Sequence, residues 1–496
     1  MKLKRIAVWI VVLGLGTPAL RAQETNQVEL LKKQLQELQE NFAKVQREQK
    51  QQIETLTKRL DELTKSQTAE AEKKKLEQEL AAELQKNQPA AATQAASPSA
   101  AAAPWSPSQP ITVARAGSAY MNISFDALVA AGTSTANDID KLELGGHDPK
   151  ERGFTVQNLE ITLDGKVDPY FRGQGNIVLQ IDPRGETTIE AEEAYLETMS
   201  LPWNLQVKAG QFFTEFGRLN PTHPHTWSFV DQPLVNGRFF GEDGLRSAGA
   251  RLSWLTPTPF YSELFFTIQN SQGGTAFSFR NEHEGELFFG RPHNQGRVKS
   301  LGDMLFVPRY AVSFDLSDSQ TLVAGVSAAF GPNGSGPDQD TQIYGADLYW
   351  KWKPANAHAG FPFVSWQTEA MLRRYEAGAF AGDPAPTPPL PALPAEALTD
   401  WGIYSQVLWG FKPRWVAGLR GDFVAPTETA AYETILGRDP DRAQRWRISP
   451  NLTWYPSEFS KIRLQYNYDN RDRIGVDHSV WLQFEFLLGA HAAHKF

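Results

Sequence analysis

The side chains of this sequence that could do chemistry are mostly charged residues set at every second position of long alternating runs. Arg414, Arg420, Arg445, Arg447, Lys461 and Arg463 share the polar face of three neighbouring runs, opposed locally by Asp422 and Asp469, while Glu160, Asp164, Glu193 and Glu197 hold the polar face of earlier ones. Charges of opposite sign on opposite walls of a water column would set up a transverse field that orients dipolar or anionic solutes. A pore works in this way, through size and lining charge, and needs no bond-making residue. The bland alternative is a hydrated polar interior without selectivity. His223 and His225, with Asp231, offer imidazole and carboxylate donors of the kind divalent ions take. An H-x-H pair in a proline-rich loop lacks a third ligand at standard spacing, so packing within the loop is expected there, and also at His491 and His494. No metal or other cofactor is expected. There is no Gly-x-Ser-x-Gly elbow and no placed Ser/His/Asp set, so an enzyme is not expected either.

The elements that must position these charges differ sharply along the chain. Residues 23–117 contain two aromatics, Phe42 and Trp105, whereas residues 118–496 contain 12 Trp, 13 Tyr and 28 Phe. The chain has no cysteine, which excludes a disulfide scaffold or a zinc-thiolate site. Its net charge of −8 gives no reason to expect a nucleic acid partner. Lys2, Lys4 and Arg5 ahead of an apolar run from Ile6 to Leu15, with Ala22 beyond, read as a signal peptide over 1–22.

From Glu24 to Gln88 there is neither Gly nor Pro, and Val28, Leu31, Leu35, Leu38, Phe42, Val45, Leu56 and Leu63 keep a seven-residue register. So narrow a stripe gains little unless a partner helix covers it, which predicts a coiled coil over 23–88 and self-association. About 60 helical residues would reach roughly 90 Å. Residues 89–117, rich in Ala, Pro and Ser, read as a semi-rigid linker.

After Gly117 the hydrophobic period becomes two. Trp446, Ile448, Leu452 and Trp454 alternate with Arg445, Arg447, Ser449, Asn451 and Thr453. Sixteen such runs can be counted, and from the second gap onward every other connection is short, while gaps 214–244 and 270–308 are long. No stretch of 18 apolar residues follows the signal peptide, so a chain seated in a membrane must cross it as a closed barrel. An even strand number with short turns at one end and long loops at the other is the asymmetry of an outer-membrane barrel. The expected fold is therefore an all-β transmembrane barrel of 16 antiparallel strands over 118–496, preceded by an α-helical coiled coil. Val480, Leu482, Phe484, Phe486 and Leu488 share one face and Phe496 keeps their parity, resembling the terminal signal of barrel assembly.

Ala194-Tyr195-Leu196, then Val207 to Phe213 running into Phe216-Gly217, and later Gly244 to Gly249, resemble the phosphate-selective porin O and P family. A coiled coil ahead of such a barrel also resembles diacid-transporting porins that trimerise through periplasmic helices. The resemblance implies a sixteen-stranded homotrimeric diffusion channel. No contiguous run matches the arginine ladder and lysine cluster of phosphate-selective members, and Asn220 to Trp227 lies outside their pattern. In sixteen-stranded porins the third loop folds inward, which by topology makes Arg218, His223, His225, Asp231, Arg238, Glu242 and Asp243 constriction candidates.

The function expected is passive diffusion of small hydrophilic, anionic solutes across a bacterial outer membrane, with the coiled coil in the periplasm. The partners expected are membrane lipid, further copies of the chain and the solutes. Three other readings compete: a tether between outer membrane and cell wall, an uptake receptor for a metal or of the TonB-linked kind, and a secreted adhesin. Residues 23–117 show no plug domain for a receptor.

Overall fold

The computed structural model describes residues 111–181, 185–280, 287–293 and 296–489. The signal peptide, the coiled coil, most of the linker, His491, His494 and Phe496 lie outside these residues. The chain forms β1 (Ile111–Ala116), β2 (Ala119–Ser134), β3 (Gly153–Lys166), β4 (Phe171–Ile181), β5 (Thr187–Thr198), β6 (Leu205–Phe213), β7 (Arg246–Leu255) and β8 (Tyr261–Asn270). A small hairpin follows, β9 (Leu287–Phe288) with β10 (Arg291–Pro292). Then come β11 (Met304–Ser317), β12 (Gln320–Pro332), β13 (Asp340–Trp352), β14 (Phe363–Ala377), β15 (Glu396–Lys412), β16 (Trp415–Pro426), β17 (Arg445–Ser457), β18 (Ser460–Arg471) and β19 (Gly475–Leu488). Among the described residues, three short α-helices lie in the connections: α1 (Ile139–Leu142), α2 (Leu234–Phe240) and α3 (Ala431–Leu436).

Sixteen strands close an antiparallel ring running β2 to β8, then β11 to β19 and back to β2. Closure leaves no open edge, so every wall strand is paired on both sides. Each sequence-derived strand coincides with one of these. The segment expected to be linker differs at its end, because Ile111–Ala116 turns at Gly117 and pairs antiparallel with Ala119–Ile123. The β19 ladder occupies the same edge of β2 farther along, from Phe125 to Ser134. β1 therefore takes over where β19 stops.

The alternation places apolar side chains outward around the whole circuit. Leu196, Leu252, Phe266, Val326, Leu372, Leu419, Leu464 and Phe484 are among the large hydrophobics left exposed. On β15 Trp401 and Trp409, and on β17 Trp446 and Trp454, bracket this band eight residues apart. That is about 27 Å along a strand and roughly 20 Å along the normal at a tilt of about 40°. Rings pair at both rims, Trp401 with Phe423 and Trp415 with Trp454. An apolar belt edged by aromatics is what a hydrocarbon layer with two polar interfaces demands. No helix among the described residues is long and apolar enough to cross a membrane.

The inward face corrects one expectation. Arg414 is not a wall residue: it sits exposed in the tight β15–β16 turn with φ 72° and donates to the Pro456 carbonyl. The β6–β7 connection packs against the inward face. Phe216, Leu234, Val235, Phe239 and Phe240 of the β6–β7 connection pack on inward-facing Leu305, Val307, Ile343, Met371, Tyr404 and Val424 in a fully apolar cluster. Every residue of α2 is buried, so its apolar side chains need a wall to cover them, and β11 to β16 supply it. Gly345 makes room, since a Cβ there would meet the Phe216 ring at 2.6 Å.

Leu419 pairs in register with Pro450, midway between Trp446 and Trp454, and is 54% exposed. Leu419→Arg should therefore cost about 2–4 kcal/mol of stability in lipid vesicles, read by denaturant titration of the folded barrel. A cost near zero would mean that this face does not meet hydrocarbon.

Candidate functional site

The connection between β6 and β7, residues 214–245, enters the barrel and spans it. It turns at Gly217, whose φ of 62° favours glycine and where a Cβ would overlap the Glu369 carboxylate. Glu369 accepts the backbone N–H groups of Arg218 at 3.0 Å and Leu219 at 2.9 Å, anchoring the start of the loop to β14.

The middle of the loop meets the basic wall. Asp231 is buried and accepts from Arg420 at 2.8 Å, Gln465 at 2.7 Å and Asn467 at 2.9 Å, and also pairs with Arg447. Arg447 reaches Glu143 at 2.7 Å and Asp469 at 2.6 Å, and Arg445 reaches Asp469 at 2.8 Å. Lys461 pairs with Glu485, and Arg463 donates to Thr453 and Gln483. Asp422 holds Arg420 at 2.7 Å and accepts the Leu234 N–H at the start of α2. Burial pushes the Asp231 carboxyl up, but Arg420 and Arg447 outweigh it and leave the group at about 2.

The other side of the loop meets the acidic wall. His223 Nδ1 lies 2.8 Å from Glu192 and 3.3 Å from Glu160, and its Nε2 lies 2.9 Å from Glu193. His225 stacks on His223 with centroids 5.8 Å apart, and its Nδ1 is 3.4 Å from Glu160. His147, from the β2–β3 connection, places Nε2 3.5 Å from Glu192. Burial would lower both His223 and His147. The carboxylates prevail, raising His223 well above the usual imidazole range and His147 to about 9.

Of the basic residues read from the sequence, Arg420, Arg445, Arg447, Lys461 and Arg463 do point inward, but all are buried against loops and neighbours. Glu160, Glu193 and Glu197 are buried too, Glu197 beside Arg172 at 2.6 Å, while Asp164 is half-buried and accepts from Asn122. Among the loop candidates Arg238 is buried and donates to the Arg442 carbonyl, Glu242 is exposed beside Lys150, and Asp243 is half-buried.

Arg218 sits apart. Its guanidinium lies 4.0 Å from the Tyr349 ring centre and lines a cavity of about 380 Å³ with Trp227, Ser365, Gln367 and Gln406. None of the ion pairs among the described residues involves it.

Sequence reasoning missed Glu192 and His147. A bulge opposite Asn176 and Ile177 inserts Glu192 into β5, so that Glu192 and Glu193 both face inward. Two consecutive acidic residues in an alternating strand were the available signal.

Fold and site together define a sixteen-stranded barrel with an apolar outer belt and a lumen spanned by the β6–β7 connection, with part of the β2–β3 connection packed beside it. The chain belongs to one family with an uncharacterized protein of Aquifex aeolicus (strain VF5), 33% identical over 374 residues that make up 71% of this chain and 73% of that one. No protein-family model matches the chain, so the resemblance to the phosphate-selective porin O and P family is not confirmed. Similar solved structures include the outer-membrane channel DcaP of Acinetobacter baumannii, at 13% identity and TM-score 0.49 over 75% of this chain and 97% of that one. The anion-selective porin of Comamonas acidovorans shows 7% identity and TM-score 0.44, covering 74% and 100% of the two chains. Salmonella typhi OmpF in complex with daunomycin shows 10% identity and TM-score 0.44, covering 75% and 98%.

Asp231 lies below its ordinary value of 3.8, so its stabilising effect is complete above about pH 4 and is lost as pH falls through about 2. Removing it leaves Arg420 and Arg447 short of a partner, at a cost of about 3 kcal/mol. The gap in thermal midpoint between the native chain and Asp231→Asn should hold constant from pH 7 to about 4 and close towards pH 2, measured by circular dichroism. A gap that opens as the solution is acidified would contradict this.

Proposed function

We propose that the protein is an outer-membrane channel for passive diffusion of small hydrophilic solutes, with a preference for anions. The outward apolar belt with aromatic rims supports the membrane setting, and the loop spanning the lumen supports a narrowed path. The observation that carries the anion preference is Arg218. It is a cation without an ion-pair partner among the described residues, facing an inner cavity whose other polar groups are neutral. Arg420, Arg445, Arg447 and Lys461 of the basic wall face buried carboxylates, so their charges cancel locally and contribute less to the field a solute meets.

In this reading residues 23–88 form the periplasmic coiled coil that draws copies into a trimer, and no bond-making chemistry is assigned to the barrel. The tether, TonB-linked receptor and adhesin readings have no particular contact in their favour.

Planar-bilayer recordings in a salt gradient test the proposal. The native chain should give discrete conductance steps and a reversal potential of anionic sign, and Arg218→Ala should move that potential towards neutrality. A cation-selective reversal would reject the preference, and purified, folded barrel without conductance would reject the channel.

A further inference from the structure

The acidic side of the lumen gathers side chains for which diffusion has no use. Glu160 on β3, Glu192 on β5 and His223 on the loop are all buried, and one donor atom from each lies within 4.8 Å of the others. The His223 Nδ1 separations are 2.8 Å to Glu192 Oε2 and 3.3 Å to Glu160 Oε2. Donors bound at about 2.1 Å to a tetrahedral ion stand roughly 3.4 Å apart, so the three atoms are already close to the spacing that one ion imposes.

The surroundings hold each donor in aim. Glu193 faces His223 Nε2 at 2.9 Å, so a proton on Nε2 leaves the Nδ1 lone pair pointing at Glu160 and Glu192. A carboxylate on the far nitrogen is the usual support of a ligating imidazole. Glu160 Oε1 accepts from Thr162 at 2.9 Å and from Asn176, which turns Oε2 towards the two stacked histidines, with Asn158 adding a longer bond of 3.3 Å to Oε2. His147 faces the Gln157 carbonyl through Nδ1 at 2.8 Å, which directs its Nε2 to Glu192. His225 touches Glu160 from the other side.

We propose that Glu160, Glu192 and His223 bind one divalent transition cation, with Glu193 positioning His223 and with His147 and His225 at the margin of the site. Imidazole with carboxylate oxygens, and no thiolate, suits zinc and its first-row neighbours better than magnesium or copper(I). The three ligands come from two wall strands and the loop, so the ion would pin the loop to the β3–β5 wall. The bulge at Glu192 acquires a purpose in this reading: without the extra residue Glu192 would point to lipid.

The test uses the full chain purified without a histidine tag, stripped with a chelator and titrated with zinc alone. Calorimetry should give one ion per chain, and elemental analysis after desalting should retain it. Affinity should fall at least 100-fold in Glu192→Gln and in His223→Gln, and about 10–100-fold in Glu193→Gln. His478→Gln, exposed on β19, should leave it unchanged. Because a lumen variant can fail to fold, the native chain supplies a second readout. Zinc should raise its thermal midpoint, and X-ray absorption at the zinc edge should show a mixed nitrogen and oxygen shell at about 2.0–2.2 Å. Substoichiometric zinc on the native chain, or full binding retained by both folded ligand variants, would overturn the site. Conductance is read independently, so loss of the metal proposal leaves the channel proposal standing and the reverse also holds.

Discussion

A closed barrel that turns its apolar side chains outward must put its charges inside, and charges taken out of water have to be answered. Here two walls carry opposite signs, and the loop that bridges them is charged to match. Asp231 faces Arg420 and Arg447; His223 and His225 face Glu160, Glu192 and Glu193. Unpaired, any of these buried groups would cost several kcal/mol, so the pairing selects one seat for the loop among the many its length allows. The apolar contacts of α2 and Phe216 then add attraction without direction, and the charges supply the direction.

The outer wall was the legible part of the sequence. Each alternating run became a strand because hydrocarbon on one side and a polar interior on the other impose period two, and the same parity sent Arg420, Arg445, Arg447, Lys461 and Arg463 inward. Parity failed where the backbone departs from regular pairing. Arg414 belongs to a turn, and the bulge at Glu192 brings to the interior a residue that strict alternation assigns to lipid. The partners of these charges were not legible at all. Asp231 and Arg447 stand 216 positions apart in sequence, and only ring closure makes them neighbours. The loop's apolar residues gave no period to read, because α2 is buried all round and has no face to distinguish.

The paired interior also changes how the transverse field should be pictured. Arg445 and Arg447 are answered within a few ångströms by Asp469, Glu143 and Asp231, and across the lumen His223 is answered by Glu192 and Glu193. What remains for a passing solute is local: a guanidinium laid on Tyr349 and a few neutral hydrogen-bonding groups beside it. In the channel proposed above, selectivity would rest on few side chains, while most of the ionisable groups serve architecture.

β1 lies on the edge of β2 that β19 vacates, joined to β2 by the tight turn at Gly117. A pull applied at Ile111 would therefore act first on the Ile111–Ile123 pair, and open β1 one pair at a time towards the turn. The ladder between β2 and β19 carries no share of that load until β1 has been peeled away. β1 thus lengthens the edge of β2 without taking part in closing the ring.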